Sequence, residues 1–351
     1  MTTTSALVRA GGSERYAVVV NELVGAVLTR PAIDAPAAAE ALAAHWGIRG
    51  VLRPLPSERD RNFAVSVDGQ YRFVLKIANA AEDPAFLDFQ HRALERLAAA
   101  GVPCQRIIRS LTESEVVDVG RPGLPGLARL LTWLPGRPLA TILPADRSPS
   151  LLHDLGEVMG RTALALADFD HGAAHRPFQW SAEEGLDVIA AHAPAVADPA
   201  RRALLARWQT RLAGLAGLFS GFRHGVIHND ANDHNVLISD DAARVTGLLD
   251  LGDAIWSVTV NELAVAAAYA ALGTADPLAV IATVATGFET VLPLEPDERD
   301  HLVELVALRL ATSVALSAHQ SRLEPGDPYL TVSETPAWDI LARLAEADPP
   351  R

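Results

Sequence analysis

Lysine is almost missing from this chain: of 30 basic residues, 29 are arginine and one, Lys76, is lysine. Such a skew toward arginine makes the surviving ammonium a candidate for chemistry that a planar guanidinium cannot copy, because a compact point charge fits where a fork does not. The alternative is a surface lysine that survived by chance. Cysteine is equally scarce. One residue, Cys104, excludes an internal disulfide and suits a reducing compartment, so a cytoplasmic protein is expected. Met1 to Gly12 has no apolar core beside a basic region of the signal-peptide kind. The longest uncharged apolar stretch, Leu263 to Ala275, falls short of the ~20 residues that span a bilayer, so it is expected to be a buried helix and no membrane partner is expected. Positive charge is also lacking. A net charge of −13 and a pI near 5.3 exclude the basic footprint that nucleic acid requires. An acidic surface favours a cationic partner such as an amine-bearing small molecule, although it equally serves solubility.

At 351 residues the chain is long enough to bury a large core in two lobes. Its densest polar segment is His228-Asn229-Asp230-Ala231-Asn232-Asp233-His234-Asn235, followed by two short β-prone runs, Val236 to Ile238 and Val245 to Leu249, and then Asp250-Leu251-Gly252. Phosphoryl transfer to a hydroxyl needs a carboxylate to orient the attacking oxygen, plus an amide oxygen and a second carboxylate to hold magnesium on the phosphates. Asp230, Asn235 and Asp250 supply that set. In an antiparallel pair Asn235 enters the first strand where Asp250 leaves the second, which puts the two side by side, with Cα atoms roughly 4.5–5.5 Å apart if directly paired.

A second pattern surrounds Lys76. Phe63 to Val67 and Gln70 to Ile77 flank Asp68-Gly69, a two-residue turn favouring positive φ, and so predict a hairpin. Tyr71, Phe73, Leu75 and Ile77 share one face of the second strand; Arg72, Val74 and Lys76 share the other. Next, Pro84 opens a helix in which Phe86, Phe89, Ala93 and Leu97 recur at steps of three and four before Gly101 and Pro103 end it.

The order His-x-Asp-x-x-x-x-Asn, strand pair, Asp-x-Gly resembles the catalytic and metal segments of the protein-kinase-like fold, and in detail those of the aminoglycoside phosphotransferase family, with Asn229 in place of the usual middle glycine. Ser57 to Phe63, Phe73 to Asn79, Asp327 to Leu330 and Ser333 to Trp338 look most like the hydroxylysine kinase branch. This resemblance runs from about Ala35 to Leu344 and implies an α+β, bilobal fold: a nucleotide-binding β-rich lobe at 35–134 and a larger helical lobe at 135–351, preceded by an extension at 1–34. It implies ATP and Mg2+ as cofactors, Asp230 as the catalytic carboxylate, Asn235 and Asp250 as metal ligands, and Lys76 on the α- and β-phosphates. The glutamate that normally steadies this lysine aligns with Gln90, whose neutral amide can accept a hydrogen bond from the ammonium but carries no charge. Neither G-x-G-x-x-G nor a Walker run is present; Ser57, Arg59 and Asn62 stand where the phosphate-covering turn belongs, unless Arg59 and Asp60 simply pair within it. At the hinge, the Thr132 carbonyl and the Leu134 amide are the adenine candidates.

Acceptor contacts are sought in Asp253, which can attract an amine; in Arg309, which suits a carboxylate unless it pairs with Glu304 or Glu262; and in Trp338, a cap or a packing residue. His228 is expected to be buried behind the catalytic loop, with Asp233 and His234 on its outer side. The favoured function is transfer of a phosphoryl group from ATP to a hydroxyl of a small hydroxylated amine, with a hydroxylysine-like amino acid ahead of an aminoglycoside or peptide antibiotic. A nucleotide-binding protein without turnover, and a metallohydrolase built on His228, Asp230, Asp233 and His234, are the readings of other classes.

Overall fold

Asp68 and Gly69 both adopt positive φ, +53° and +78°, and this left-handed pair closes the predicted hairpin. In the computed structural model, which describes residues 31–57, 60–120, 126–323 and 334–347, the hairpin strands are β2 (Arg61–Val67) and β3 (Gln70–Ile77). They belong to an antiparallel sheet with β1 (Val51–Leu55), β4 (Ile107–Ile108), β5 (Val117–Asp118) and β6 (Leu127–Thr132). Its order is β1-β2-β3-β6-β4, and β5 also pairs with β6.

The two faces of this sheet do different work. On one, Phe63, Val65, Leu75, Ile77, Ala128 and Leu130 form a core with Ala38, Leu42 and Trp46 of α1 (Ala35–Trp46). Asp34 caps α1 through the Ala37 amide, and the helix stops at Gly47, whose φ of +67° an L-residue adopts only with strain. Burying each large side chain here contributes about 1.5–3 kcal/mol, so the aromatic-aliphatic alternation dictates which face turns inward. On the other face the register sets Asn62 opposite Lys76 and Lys76 opposite Arg129. Helix α2 (Pro84–Ala99) is capped by Asp83 at the Ala85 amide and buries Phe86, Phe89, Gln90, Ala93 and Leu97, the predicted stripe included.

Two compact units divide the chain: 28–176 with 220–306, and 177–219 with 307–351. The larger contains the sheet above. It also holds a three-stranded sheet in the order β10 (Val245–Leu248), β9 (Val236–Ile238), β7 (Arg137–Pro138), and a ribbon of β8 (His224–Ile227) with β11 (Ile255–Val258). Helices α3 (Pro149–Leu166) and α6 (Val260–Ala271) back these strands, and α7 (Pro277–Glu289) packs on both of them. Every residue of α6 is buried, as the apolar run at 263–275 predicts, although the helix begins and ends a few residues earlier. Helices α3 and α7 touch backbone to backbone: a Cβ on Gly156 would stand 2.0 Å from the Val284 carbonyl oxygen. An alanine there would force the pair apart.

The smaller unit is helical, with α4 (Gly185–His192), α5 (Pro199–Leu212) and α10 (Glu334–Ala347). Trp208 is buried and donates from Nε1 to the Leu341 carbonyl at 3.0 Å. Helix α9 (Leu302–Leu323) contributes to both units, and a short helix, α8 (Pro296–Asp300), precedes it. By length and composition α9 is apolar enough to cross a membrane, but 67% of its apolar window is buried inside the protein, as in a core helix.

Candidate active site

The segment expected to be catalytic leaves β8 and turns sharply at Asn229, whose φ is +63°. Glycine takes this conformation freely, and asparagine is among the few side chains that tolerate it. Here the side chain also anchors it: Asn229 Nδ2 donates to the Asp253 carbonyl (3.3 Å), and Oδ1 accepts from Asn261 Nδ2 (3.0 Å). His228 is 1% exposed and uses both ring nitrogens, Nδ1 accepting from the Asp230 amide (3.2 Å) and Nε2 facing the Leu249 carbonyl (2.8 Å). Those partners fix the Nε2-protonated tautomer, and burial draws the imidazole down to about 4. It joins the catalytic loop to the strand that delivers Asp250 and leaves no lone pair for a metal. Among the described residues no three His, Cys, Asp or Glu side chains converge as a metal cluster.

Asp230 is half-buried and accepts from two amides, Asn232 Nδ2 at Oδ1 (2.9 Å) and Asn235 Nδ2 at Oδ2 (2.7 Å). Asn235 Nδ2 also reaches the Asp230 carbonyl (3.0 Å), which orients the Asn235 amide so that Oδ1 is its acceptor atom. The Asn232 carboxamide accepts from the His234 and Asn235 amides in an Asx turn, so one side chain both shapes the loop and holds the carboxylate. Sequence reasoning passed over Asn232, though its place two residues after the aspartate signals such a turn.

Asp233 does not lie on the outer side of the loop as expected; it is 8% exposed, with Arg147 Nη2 4.0 Å from its carboxylate. Arg147 Nη1 also donates to the Tyr269, Ala270 and Leu272 carbonyls, so the catalytic loop is tethered to the C-terminal end of α6. His234 is exposed. Glu262, on the first turn of α6, accepts from the His228 amide at 2.5 Å. Its burial is so complete, at 1% exposure, that the carboxyl is pushed up to about 8.

The pairing partner of Asn235 is Leu249 rather than Asp250, with the Leu249 amide donating to the Asn235 carbonyl at 2.8 Å. An irregularity between Val245 and Gly247 shifts the register, and Asp250 follows one residue later at φ +61°. That strained turn, a conformation rare outside glycine, swings the carboxylate to Lys76: Nζ to Oδ1 is 3.1 Å. Lys76 is 8% exposed, whereas the Asp250 side chain is 46% exposed. The ammonium, aided by Arg129 and the Gly252 amide, holds the Asp250 carboxyl well below the usual carboxylate range.

Gln90 does not serve as the hydrogen-bond partner of Lys76. Its Oε1 accepts from Arg129 Nη2 at 2.7 Å, because Arg129, next to Lys76 across the β3–β6 ladder, reaches the helix first. Glu95 is exposed and pairs with Arg92. Asn62 is buried beside Lys76, and its Oδ1 has no partner. Ser57 Oγ accepts from the Asp60 amide (3.2 Å), and Asp60 accepts from the Asn79 amide (3.2 Å). Arg59 lies outside the described residues, as do Asp327 to Leu330 and Ser333 of the late motif. At the hinge the Thr132 carbonyl already accepts from Gln105 Nε2 (3.1 Å), and Leu134 is half-buried. Asp253 is half-buried in the turn after Asp250, where Arg176 donates to the Gly252 and Ala254 carbonyls.

Arg309 and Trp338 belong to the smaller unit. Arg309 is buried with its guanidinium 4.4 Å from the Trp180 ring centroid. Trp338 is 4% exposed, bonds Glu334 through Nε1 and carries Arg201 over its ring. That is the environment of a packing residue rather than of a pocket cap.

Residues 51–302, more than two-thirds of the chain, match the model of the phosphotransferase enzyme family, and the chain belongs to that family. It is 30% identical over 344 residues to the hydroxylysine kinase of Bos taurus, covering 90% of each protein. To the hydroxylysine kinase of Danio rerio it is 30% identical over 314 residues, covering 84% of this chain and 86% of that one. Among solved structures it resembles an amicoumacin kinase in complex with AMP-PNP, Ca2+ and Ami, with a TM-score of 0.68 at 13% identity, covering 89% of this chain and 94% of that one. It also resembles a microcompartment-associated aminopropanol kinase, with a TM-score of 0.67 at 15% identity, covering 91% and 99%. These likenesses give the fold, an α+β phosphotransferase of the protein-kinase-like type. The protein is a small-molecule phosphotransferase with a hydroxyl acceptor.

Proposed function

We propose that the protein transfers the γ-phosphoryl group of ATP, with Mg2+, to the hydroxyl of a small amine-bearing acceptor, a hydroxylysine-like amino acid before any other. The observation carrying this reading is a constellation within one structural unit: Lys76 3.1 Å from Asp250, and Asp230 locked to Asn235 at 2.7 Å. The identity shared with hydroxylysine kinases over nine-tenths of both chains supports the acceptor class.

The donor set fits a hard cation. Asn235 offers Oδ1, and Asp250 offers a carboxylate kept ionised by its surroundings. Magnesium takes one or two protein oxygens and completes its shell with phosphates and water. When bound it neutralises charge on the transferred group. Lys76 exchanges Asp250 for phosphate oxygens. Asp230, its two oxygens held by Asn232 and Asn235, keeps lone pairs for the acceptor hydroxyl and takes its proton as the new P–O bond forms and the bond from the γ-phosphorus to the bridging oxygen breaks, releasing ADP. Asp253, one turn beyond Asp250, adds negative charge where an ammonium group would stand.

Incubation with ATP, Mg2+ and, separately, hydroxylysine, an amino alcohol and an aminoglycoside, followed by mass analysis, tests the proposal. Phosphorylation of hydroxylysine at its hydroxyl is expected. Transfer to the aminoglycoside alone would change the acceptor class, and thermal stabilisation by ATP·Mg without any transfer would reduce the protein to a nucleotide binder.

A further inference from the structure

We infer that Arg129 is a second phosphate-binding cation of the nucleotide site, held beside Lys76 by an amide at position 90 that restrains the guanidinium without cancelling its charge. The inference rests on the ATP-dependent reading above and concerns how this chain builds that site.

Three polar residues, Asn62, Lys76 and Arg129, lie in register across β2, β3 and β6, on the face opposite the apolar core. All are buried, at 7, 8 and 4% exposure. Lys76 reaches Asp250, and Arg129 reaches Gln90, so both cations border the space between the sheet and the Asp250 turn. Asp250, Asp60 and Glu82 act on the guanidinium through space, while its direct bond goes to a neutral amide. Burying a cation without a contacting carboxylate is costly, and a protein keeps one when an anion arrives to complete it.

Charge bookkeeping indicates which anion. Counting only groups in direct contact, Lys76 and Asp250 neutralise each other and Arg129 keeps one positive charge, with Asp60 and Glu82 acting on it from farther away. A glutamate at position 90 would bring that sum to zero. Triphosphate with its cation remains negative and meets the uncancelled guanidinium, whose planar fork suits phosphate oxygens. The departure at position 90 thus moves the function of a lysine–glutamate pair to a lysine–arginine pair. Asn62 Oδ1, buried without a partner on the other flank, accepts from Lys76 once the ammonium turns from Asp250 to phosphate.

The test compares wild type, Gln90→Glu and Arg129→Lys by calorimetric titration with ATP·Mg, ADP·Mg and adenosine, alongside thermal melts without ligand. Gln90→Glu gives Arg129 a carboxylate, so its melting temperature should hold or rise while ATP affinity falls roughly 10- to 100-fold, the scale of one charge-assisted contact. Arg129→Lys should lose ATP affinity in the same direction, and adenosine should bind all three proteins alike. A purely structural role for Arg129 would leave the ATP affinity of Gln90→Glu unchanged, or weaken ATP and adenosine equally; either result overturns the inference. So does unchanged ATP affinity in both variants. If wild type binds no nucleotide, the ATP-dependent reading itself has failed, and this inference goes with it.

Discussion

Replacing Glu262 by glutamine should remove a pH dependence of stability that the wild type carries between about pH 5 and pH 8. The carboxyl is 1% exposed, accepts from the His228 amide, and is pushed by burial from 4.5 to about 8. Between those values the native protein keeps a proton that the unfolded chain has released, so stability is complete below the lower value and declines as pH rises toward the upper one. Each pH step in that window is worth about 1.4 kcal/mol, which gives a loss on the order of 3 kcal/mol between about pH 5 and pH 7.5. Glutamine retains an oxygen for the His228 amide but has no proton to lose. His228, drawn down to about 4, acts with the opposite sign below about pH 6.5, where the unfolded chain protonates first. The informative quantity is therefore the difference between wild type and Glu262→Gln, measured by urea unfolding at several pH values. The variant should gain on the wild type steadily with pH. Parallel curves would refute the assignment of a protonated carboxyl behind the catalytic loop.

Asp230→Asn should cut turnover by ~100-fold or more with nucleotide affinity retained, as loss of a positioned base requires; steady-state kinetics and titration give both numbers. Lys76→Met should raise KM for ATP, and Lys76→Arg should fail to restore it, since a planar fork does not replace a point charge. The same Lys76→Met change frees Asp250 from its cation, so stability lost below about pH 4 in the wild type should be partly absent from the variant's acid melt. At Asn229, alanine meets the left-handed backbone and loses two side-chain bonds; about 1–2 kcal/mol of destabilisation is expected from the backbone alone, and glycine should be milder, as read by denaturation. Chelation of divalent cations should abolish transfer, and added Mg2+ should restore it.

Legibility in the sequence followed the range of the interactions. The β2–β3 hairpin was readable because Asp68-Gly69 encodes its own turn and the flanking residues alternate. Helix α2 was readable because its apolar stripe and stop signals are local; the Asp83 cap extends the same logic. Lys76 stood out through scarcity, and the segment from His228 to Asp250 through spacing. What escaped were relations set by register and distant packing. Arg129 precedes no motif, and only the β3–β6 ladder brings it beside Lys76. The irregularity near Thr246, one residue in size, moved the position opposite Asn235 from Leu248 to Leu249, one short of Asp250. Arg147 turned Asp233 inward from 86 positions away. Trp338 offered an aromatic near the end of the chain, and nothing in its neighbours announced that Glu334 and Arg201 would hold it in a helical core.

The central claim is that one ammonium, one amide oxygen and two carboxylates gather around a single metal-bound triphosphate. A crystal structure with Mg2+ and a non-hydrolysable ATP analogue tests it most directly. The account predicts Lys76 Nζ moved from Asp250 onto phosphate oxygens, with the cation contacting Asn235 Oδ1 and the Asp250 carboxylate. Nucleotide bound elsewhere, with the 3.1 Å contact between Lys76 and Asp250 intact, would contradict it.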